Sequence, residues 1–206
     1  MSEVALPKVR IGVLVSGGGT NLQALLDSIE KGAVNGEVAV VISDKENAYA
    51  MERAKKYGIN AIYLERKTMQ EQLTSTLQRF GIELVVLAGF LTILPPAVVK
   101  MYEGRIINIH PSLIPAFCGK GFYGDKVHRA AIEYGVKVSG ATVHFVDEGT
   151  DSGPIILQEA VGVDPEDDAH SLAEKVLKIE HRLLPEAVRL YCEGRLKIEG
   201  RKVRII

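Results

Sequence analysis

Short apolar runs alternate with amphipathic stretches along the first half of the chain. Residues 9–15 (VRIGVLV) are almost continuously apolar, the pattern of a strand buried on both faces. The run breaks at Ser16-Gly17-Gly18-Gly19-Thr20-Asn21, after which Leu22, Leu25, Leu26 and Ile29 recur at helical spacing. The pattern then predicts a strand over 38–42, a helix over 49–57 closed by Gly58, a strand over 61–64 and a helix over 68–80. Strands over 84–88 and 105–110 follow, with a short helix at 97–102 between them. Strand–helix alternation at these lengths predicts an α/β fold, a doubly wound and mostly parallel sheet with helices on both faces.

The second half changes character. Residues 111–124 (PSLIPAFCGKGFYG) carry two prolines and three glycines and read as a loop. A short helix is predicted around 127–134, then antiparallel strands over 138–146 and 155–163 on either side of the turn-rich DEGTDSGP. The last helical pattern covers 169–191, with Pro185 expected to kink or divide it. Residues 197–206 read as a hairpin turning at Glu199-Gly200. No repeat, low-complexity tract or linker interrupts the chain, so residues 1–206 are expected to form one domain with two lobes meeting near residue 105.

Charge and cysteine content narrow the classes. The chain of 206 residues sets 25 Lys+Arg against 26 Asp+Glu, a formal net charge of −1. That balance excludes a protein that coats nucleic acid through bulk basic charge. A chain this long buries roughly 70% of its unfolded surface, so neither metal nor disulfide staples are required. Cys118 and Cys192 stand far apart with no CxxC pair and are expected to be reduced thiols in a cytoplasmic protein. The opening MSEVALPKVR lacks the apolar core of a signal peptide, and no run approaches the ~18 apolar residues of a membrane span.

The glycine loop is the first candidate for chemistry. Three glycines let the backbone approach a ligand closely, and the helix that follows presents free N–H groups to an anion. Thr20 and Asn21 are expected either to cap that helix or to donate to phosphate oxygens. A Walker A loop would need Lys followed by Ser or Thr, which is missing. A dinucleotide fingerprint starting at Gly17 would place its third glycine where Leu22 stands, although Asp44 sits where a ribose-binding acid could be. A single phosphomonoester fits better.

Asn108 and His110 are the second candidate. They lie two residues apart among isoleucines in Arg105-Ile-Ile-Asn-Ile-His110, so a strand puts both on one face near its carboxyl end. An amide beside an imidazolium makes a pair of donors for a developing oxyanion. His144 and Asp151 flank the next strand and turn. Asp147, Glu148 and Asp151 lack the regular spacing of an oxygen-ligand loop, so no metal is expected. Ser16 lacks the glycine two residues before it that a nucleophile elbow requires, which leaves a covalent acyl-enzyme unsupported.

At these residues the sequence resembles the glycinamide ribonucleotide formyltransferase family. The likeness runs over nearly the whole chain: SGGGTNLQALLD at 16–27, LAGFLTIL at 87–94, INIHPSLIP at 107–115, HFVDEGTDSGPIILQ at 144–158, and the pair Glu180-His181. The departures are the longer loop 117–127 and Leu177, where some relatives place a polar residue. The resemblance implies transfer of a formyl group from 10-formyltetrahydrofolate to the amine of glycinamide ribonucleotide, in purine biosynthesis, by direct attack through a tetrahedral intermediate. It implies a catalytic trio of Asn108, His110 and Asp151, the last favouring the charged imidazole and helping to move the amine proton. It also implies substrate contacts from Gly19, Thr20, Asn21 and Glu180, and folate contacts from Arg66, Leu91, Thr92, Ile93, Leu94 and Asn108. The lobe up to about 105 would then bind phosphate, and the lobe from about 106 would hold folate and the catalytic groups. The partners expected are small molecules, with no nucleic acid and no membrane, and the protein a monomer or homodimer. Formyltetrahydrofolate deformylase would use the same trio for hydrolysis, but it is expected to carry an extra N-terminal domain and has no need of the glycine loop. Methionyl-tRNA formyltransferase is expected to add a C-terminal RNA-binding domain. A nucleotide sensor without turnover would not need the trio.

Overall fold

In the computed structural model, which describes residues 7–206, nine strands form a single sheet in the order β3-β2-β1-β4-β5-β6-β7-β9-β8. The strands are β1 (Val9–Val15), β2 (Gly36–Ser43), β3 (Asn60–Tyr63), β4 (Leu84–Leu87), β5 (Ile106–His110), β6 (Val138–Phe145), β7 (Ile155–Gly162), β8 (Leu196–Glu199) and β9 (Lys202–Ile205). The helices are α1 (Thr20–Glu30), α2 (Tyr49–Lys56), α3 (Met69–Arg79), α4 (Pro96–Met101), α5 (Asp125–Tyr134) and α6 (Ala169–Cys192). Strands β1 to β5 pair in parallel, whereas β6 and β7 join antiparallel. This is the predicted doubly wound sheet with its antiparallel C-terminal part.

Side-chain alternation divides the core between the two faces. Val13 and Val15 pack with Leu22, Leu25, Leu172 and Val176 of α1 and α6, while Leu14 turns to Leu73 and Leu77 of α3. Each of these residues is fully buried, contributing about 1.5–3 kcal/mol for a side chain such as Leu or Val. Order reverses at β1, with β2 on one side and β4 on the other, so the loops after β1 and β4 flank the crevice where such sheets bind ligands.

Two expectations need correction. Pro185 does not divide the last helix: α6 runs 24 residues unbroken through it. An interior proline costs about 3 kcal/mol, and the burial of Leu184, Ala187 and Val188 around it offsets that cost. An Asp168–Ser171 capping box fixes where α6 begins. The terminal hairpin turns at Gly200-Arg201, one residue later than expected, because Glu199 is already paired with Lys202. It also extends the main sheet through Ile155 and Lys202, a parallel pairing that local sequence does not announce.

Candidate active site

Strand β5 sets the site. Ile107 and Ile109 point into the core beneath α6, so Asn108 and His110 share the opposite face with Ile106. The antiparallel β6 sets His144 directly across from Asn108. From the turn between β6 and β7, Asp151 approaches both histidines, its Oδ2 3.6 Å from His110 Nδ1 and its Oδ1 3.8 Å from His144 Nε2.

Hydrogen bonds fix both imidazoles. His110 Nε2 lies 3.0 Å from the Phe117 carbonyl, which only accepts, so Nε2 carries a proton and Nδ1 is the nitrogen left facing Asp151. His144 Nδ1 donates to the Phe145 carbonyl at 2.7 Å, leaving Nε2 to accept from Asn108 Nδ2 at 3.1 Å. Burial pushes the His144 pKa down, only partly opposed by the Phe145 carbonyl and by Asp151, which keeps this ring neutral. Asp151 Oδ2 also accepts from the Gly119 N–H at 2.9 Å, tying loop 111–124 to the acid.

Among the described residues, Phe117 and Asp151 are the non-glycine residues with positive φ, at 47° and 55°. Both touch His110. Such conformations cost about 1–3 kcal/mol each and persist where the surroundings over-determine them, commonly at functional sites.

The glycine loop lies at the carboxyl end of β1. Gly19 takes left-handed φ 70° at the start of α1 with no side-chain cap, so of the two roles open to Thr20 and Asn21, helix capping is not the one adopted. Thr20 stands exposed, whereas Asn21 turns inward and its Nδ2 donates to Glu180 Oε2 at 2.6 Å. That leaves Asn21 Oδ1 buried with no protein partner among the described residues. Burial pushes the Glu180 carboxyl up, against the Asn21 bond that lowers it. The three glycines are not equivalent. A Cβ on Gly19 would stand 2.6 Å from Ala50 Cβ, but one on Gly17 or Gly18 would meet nothing within 4 Å. The fold requires Gly19; Gly17 and Gly18 instead leave an open face, beside a cleft of about 480 Å³ walled by Lys45, Asn47 and Tyr49.

A buried carboxylate links this loop to the segment after β4. Asp44 Oδ2 accepts from Arg66 Nε at 2.8 Å, Arg66 Nη2 at 2.6 Å and Thr92 Oγ1 at 2.7 Å. Burial pushes the Asp44 carboxyl up, but hydrogen bonds from Ser16, Thr92 and Arg66 with the Arg66 charge outweigh it and hold the group below its ordinary range. Ser16 Oγ in turn accepts from the Leu91 N–H at 2.9 Å. Asp44 Oδ2 is thus committed to protein partners, whereas Oδ1 is buried with no hydrogen-bond partner among the described residues. Leu91 and Ile93 stand exposed at 41% and 77%, while the Leu94 side chain is buried in the α3 and α4 core. Composition and spacing gave no role to the neutral His144, the Phe117 carbonyl or the Ser16–Asp44 link. The pairing of β6 with β5 is the signal that would have placed His144.

The fold and this constellation define a class, an α/β protein that brings an amide, an imidazole and a carboxylate together at the carboxyl end of β5. A formyl transferase family model matches residues 9–188, and the chain belongs to that family. It is similar to phosphoribosylglycinamide formyltransferase, chloroplastic, of Vigna unguiculata, 39% identical over 201 residues that cover 95% of this chain and 64% of that protein. It is similar also to the trifunctional purine biosynthetic protein adenosine-3 of Gallus gallus, 40% identical over 95% of this chain and 20% of that protein. The chain thus spans less than two thirds of the length of these two relatives. Glycinamide ribonucleotide transformylase 1 of Symbiobacterium toebii superposes with a TM-score of 0.91 at 48% identity, covering 97% of this chain and 94% of that one. A formyltetrahydrofolate deformylase of Pseudomonas syringae superposes with a TM-score of 0.89 at 26% identity, covering 98% and 67%. No helix among the described residues is long and apolar enough to cross a membrane.

Proposed function

We propose that this protein transfers the formyl group of 10-formyltetrahydrofolate to the amine of glycinamide ribonucleotide, in de novo purine biosynthesis. The observation that carries the reading is the convergence of Asp151, Asn108 and the Phe117 carbonyl around His110, beside a glycine loop suited to a phosphate. The transformylase and formyltransferase names of the relatives support it.

Each residue has a role its chemistry fits. The folate supplies the formyl group. One Asn108 N–H is spent on His144, and the second is a donor for the formyl oxygen as negative charge develops there. His110, held through Nε2, offers Nδ1–H to the same oxygen when charged. Asp151 faces that nitrogen and accepts the proton released by the attacking amine, directly or through water; as the tetrahedral intermediate collapses, the bond from the formyl carbon to folate N10 breaks and that proton passes to N10, releasing tetrahydrofolate. The free N–H groups around Gly19 and Thr20 hold the phosphate, and the acceptors Glu180 and Asn21 Oδ1 suit ribose hydroxyls. Anchoring both ends of the substrate places the amine for attack. The exposed Leu91 and Ile93 suit a flat, amphipathic pterin, with Arg66, Thr92 and Asn108 as its polar contacts and the buried Leu94 backing the segment from the core.

In this reading one domain spans both lobes and needs no metal, and the protein works as a monomer or homodimer. Its two free cysteines stay reduced in the cytoplasm. Hydrolysis of the formyl group is the second reading, favoured by the deformylase likeness and a trio that serves either reaction. Spectrophotometric folate turnover decides between them. Tetrahydrofolate should form only when glycinamide ribonucleotide is present, without added metal or ATP; equal turnover in its absence sinks the transferase reading.

A further inference from the structure

We propose that Arg53 is a positioning residue that aims the N–H groups of the glycine loop at the substrate's phosphate. The inference rests on the reading of that loop as the phosphate site. Arg53 lies on α2, which packs against the loop from the side of Ala50. Its Nε donates to the Gly18 carbonyl at 2.8 Å, and the Ala50 N–H donates to the Gly17 carbonyl at 3.1 Å. In a trans peptide the N–H points opposite to the C=O. Fixing those two carbonyls toward α2 therefore turns the N–H groups of Gly18 and Gly19 away from it. Among the described residues neither N–H has a protein acceptor. They adjoin the N–H groups of Thr20 and Asn21, which belong to the first turn of α1 and have no acceptor within the helix. The result is a run of consecutive donors, the arrangement that binds phosphate oxygens.

Glycines alone do not hold this arrangement. Gly17 and Gly18 have open space around them and broad backbone freedom, so the peptides joining them rotate at little cost. A flipped peptide would present a carbonyl oxygen to the anion instead of a donor. Arg53 is the side-chain clamp against that flip. The clamp is itself oriented: Nη1 donates to Gln23 Oε1 at 2.9 Å, and the guanidinium lies 5.0 Å from the Tyr49 ring centroid. Gln23 is turned the right way because its Nε2 donates to Asp27 Oδ1 at 2.7 Å and to Tyr57 Oη at 2.8 Å. Residues from α1 and α2 thus converge on one guanidinium whose target is a loop carbonyl.

The test is steady-state kinetics of Arg53→Met and Arg53→Lys with glycinamide ribonucleotide and with its dephosphorylated nucleoside. Arg53→Met keeps the aliphatic stem and removes the donors. Its KM for the ribonucleotide should rise about tenfold, the loss of one charge-assisted hydrogen bond. Its kcat at saturation, its KM for folate and its KM for the nucleoside should stay near wild type. Arg53→Lys, which still reaches a carbonyl with a charged donor, should recover part of the loss. Unchanged ribonucleotide KM in Arg53→Met, while the wild type still prefers the phosphorylated substrate, overturns the inference alone. So does a parallel rise in both the folate and nucleotide KM with a lowered thermal midpoint, which marks general damage. Failure of the wild type to prefer ribonucleotide over nucleoside overturns the phosphate reading of the loop itself.

Discussion

The Asn108 amide donates to His144 Nε2 across the β5–β6 pairing, and His144 has no freedom to do otherwise, because its Nδ1–H is bound to the Phe145 carbonyl. A neutral buried imidazole in one tautomer thus sets the rotation of the amide and leaves its second N–H for a ligand.

That relationship predicts non-additive losses. Asn108→Ala removes the proposed oxyanion donor and should lower kcat by roughly 10²–10³. His144→Phe should lower kcat by a smaller factor with little effect on either KM, since the amide remains but loses its orientation. The double variant should be no slower than Asn108→Ala alone. Additive losses in the kinetic cycle would mean that His144 acts independently of Asn108.

The carboxylates of the β6–β7 turn should separate cleanly. Asp151→Asn keeps the shape and removes the acid facing His110, and kcat should fall by roughly 10²–10⁴. Asp147 instead accepts from Ser152 Oγ at 2.6 Å and from the Gly149 N–H at 3.0 Å, so it organises the turn rather than lying free in solvent. Asp147→Asn should cost about 1 kcal/mol of stability, read by denaturant unfolding, with kcat retained. Glu148→Gln should change neither. A larger kcat loss in Asp147→Asn than in Asp151→Asn would reassign the acid.

Glu180 should weaken the unliganded fold at neutral pH. Its carboxyl is raised by burial, so between the unfolded value and the folded one the native state binds more protons, and stability falls as pH rises through that window. Glu180→Gln should therefore raise the thermal midpoint at pH 7.5, with the gain vanishing near pH 4, while substrate binding weakens. His128, His144 and His181 carry the opposite sign: burial lowers each, so stability should fall as the pH drops below their ordinary value of about 6.5. A Glu180→Gln midpoint that is pH-independent relative to wild type would show that the carboxyl is not penalised in the fold.

Neighbouring glycines should respond differently to the same substitution. Gly18→Ala meets open space and should leave the thermal midpoint nearly unchanged while raising the KM for nucleotide. Gly19→Ala forces a side chain into left-handed φ against Ala50 and should lower the midpoint and impair both ligands. Equal thermal shifts in the two variants would contradict the division between a fold glycine and ligand glycines.

Much of this architecture is written locally in the sequence. The period-2 pattern of Ile106–His110 puts Asn108 and His110 on one face, and the apolar run ending at Ser16 announces the glycine loop. What depends on pairing at a distance is not legible that way. His144 gains its role from being opposite Asn108, and Asp44 is claimed by Arg66 and Thr92 from two later segments. Pro185 reads as a break because local propensity ignores the tertiary packing that carries α6 through it. The left-handed turns at Phe117 and Asp151 carry no sequence mark, since neither is a glycine.

The most direct measurement follows the formyl carbon itself. 10-formyltetrahydrofolate labelled with ¹³C in the formyl group is incubated with glycinamide ribonucleotide and the protein, and the label is followed by NMR. The account predicts that the label moves to the formamide of the ribonucleotide, one for each tetrahydrofolate formed, with formate absent. Label appearing as free formate, at a rate indifferent to the ribonucleotide, would contradict it.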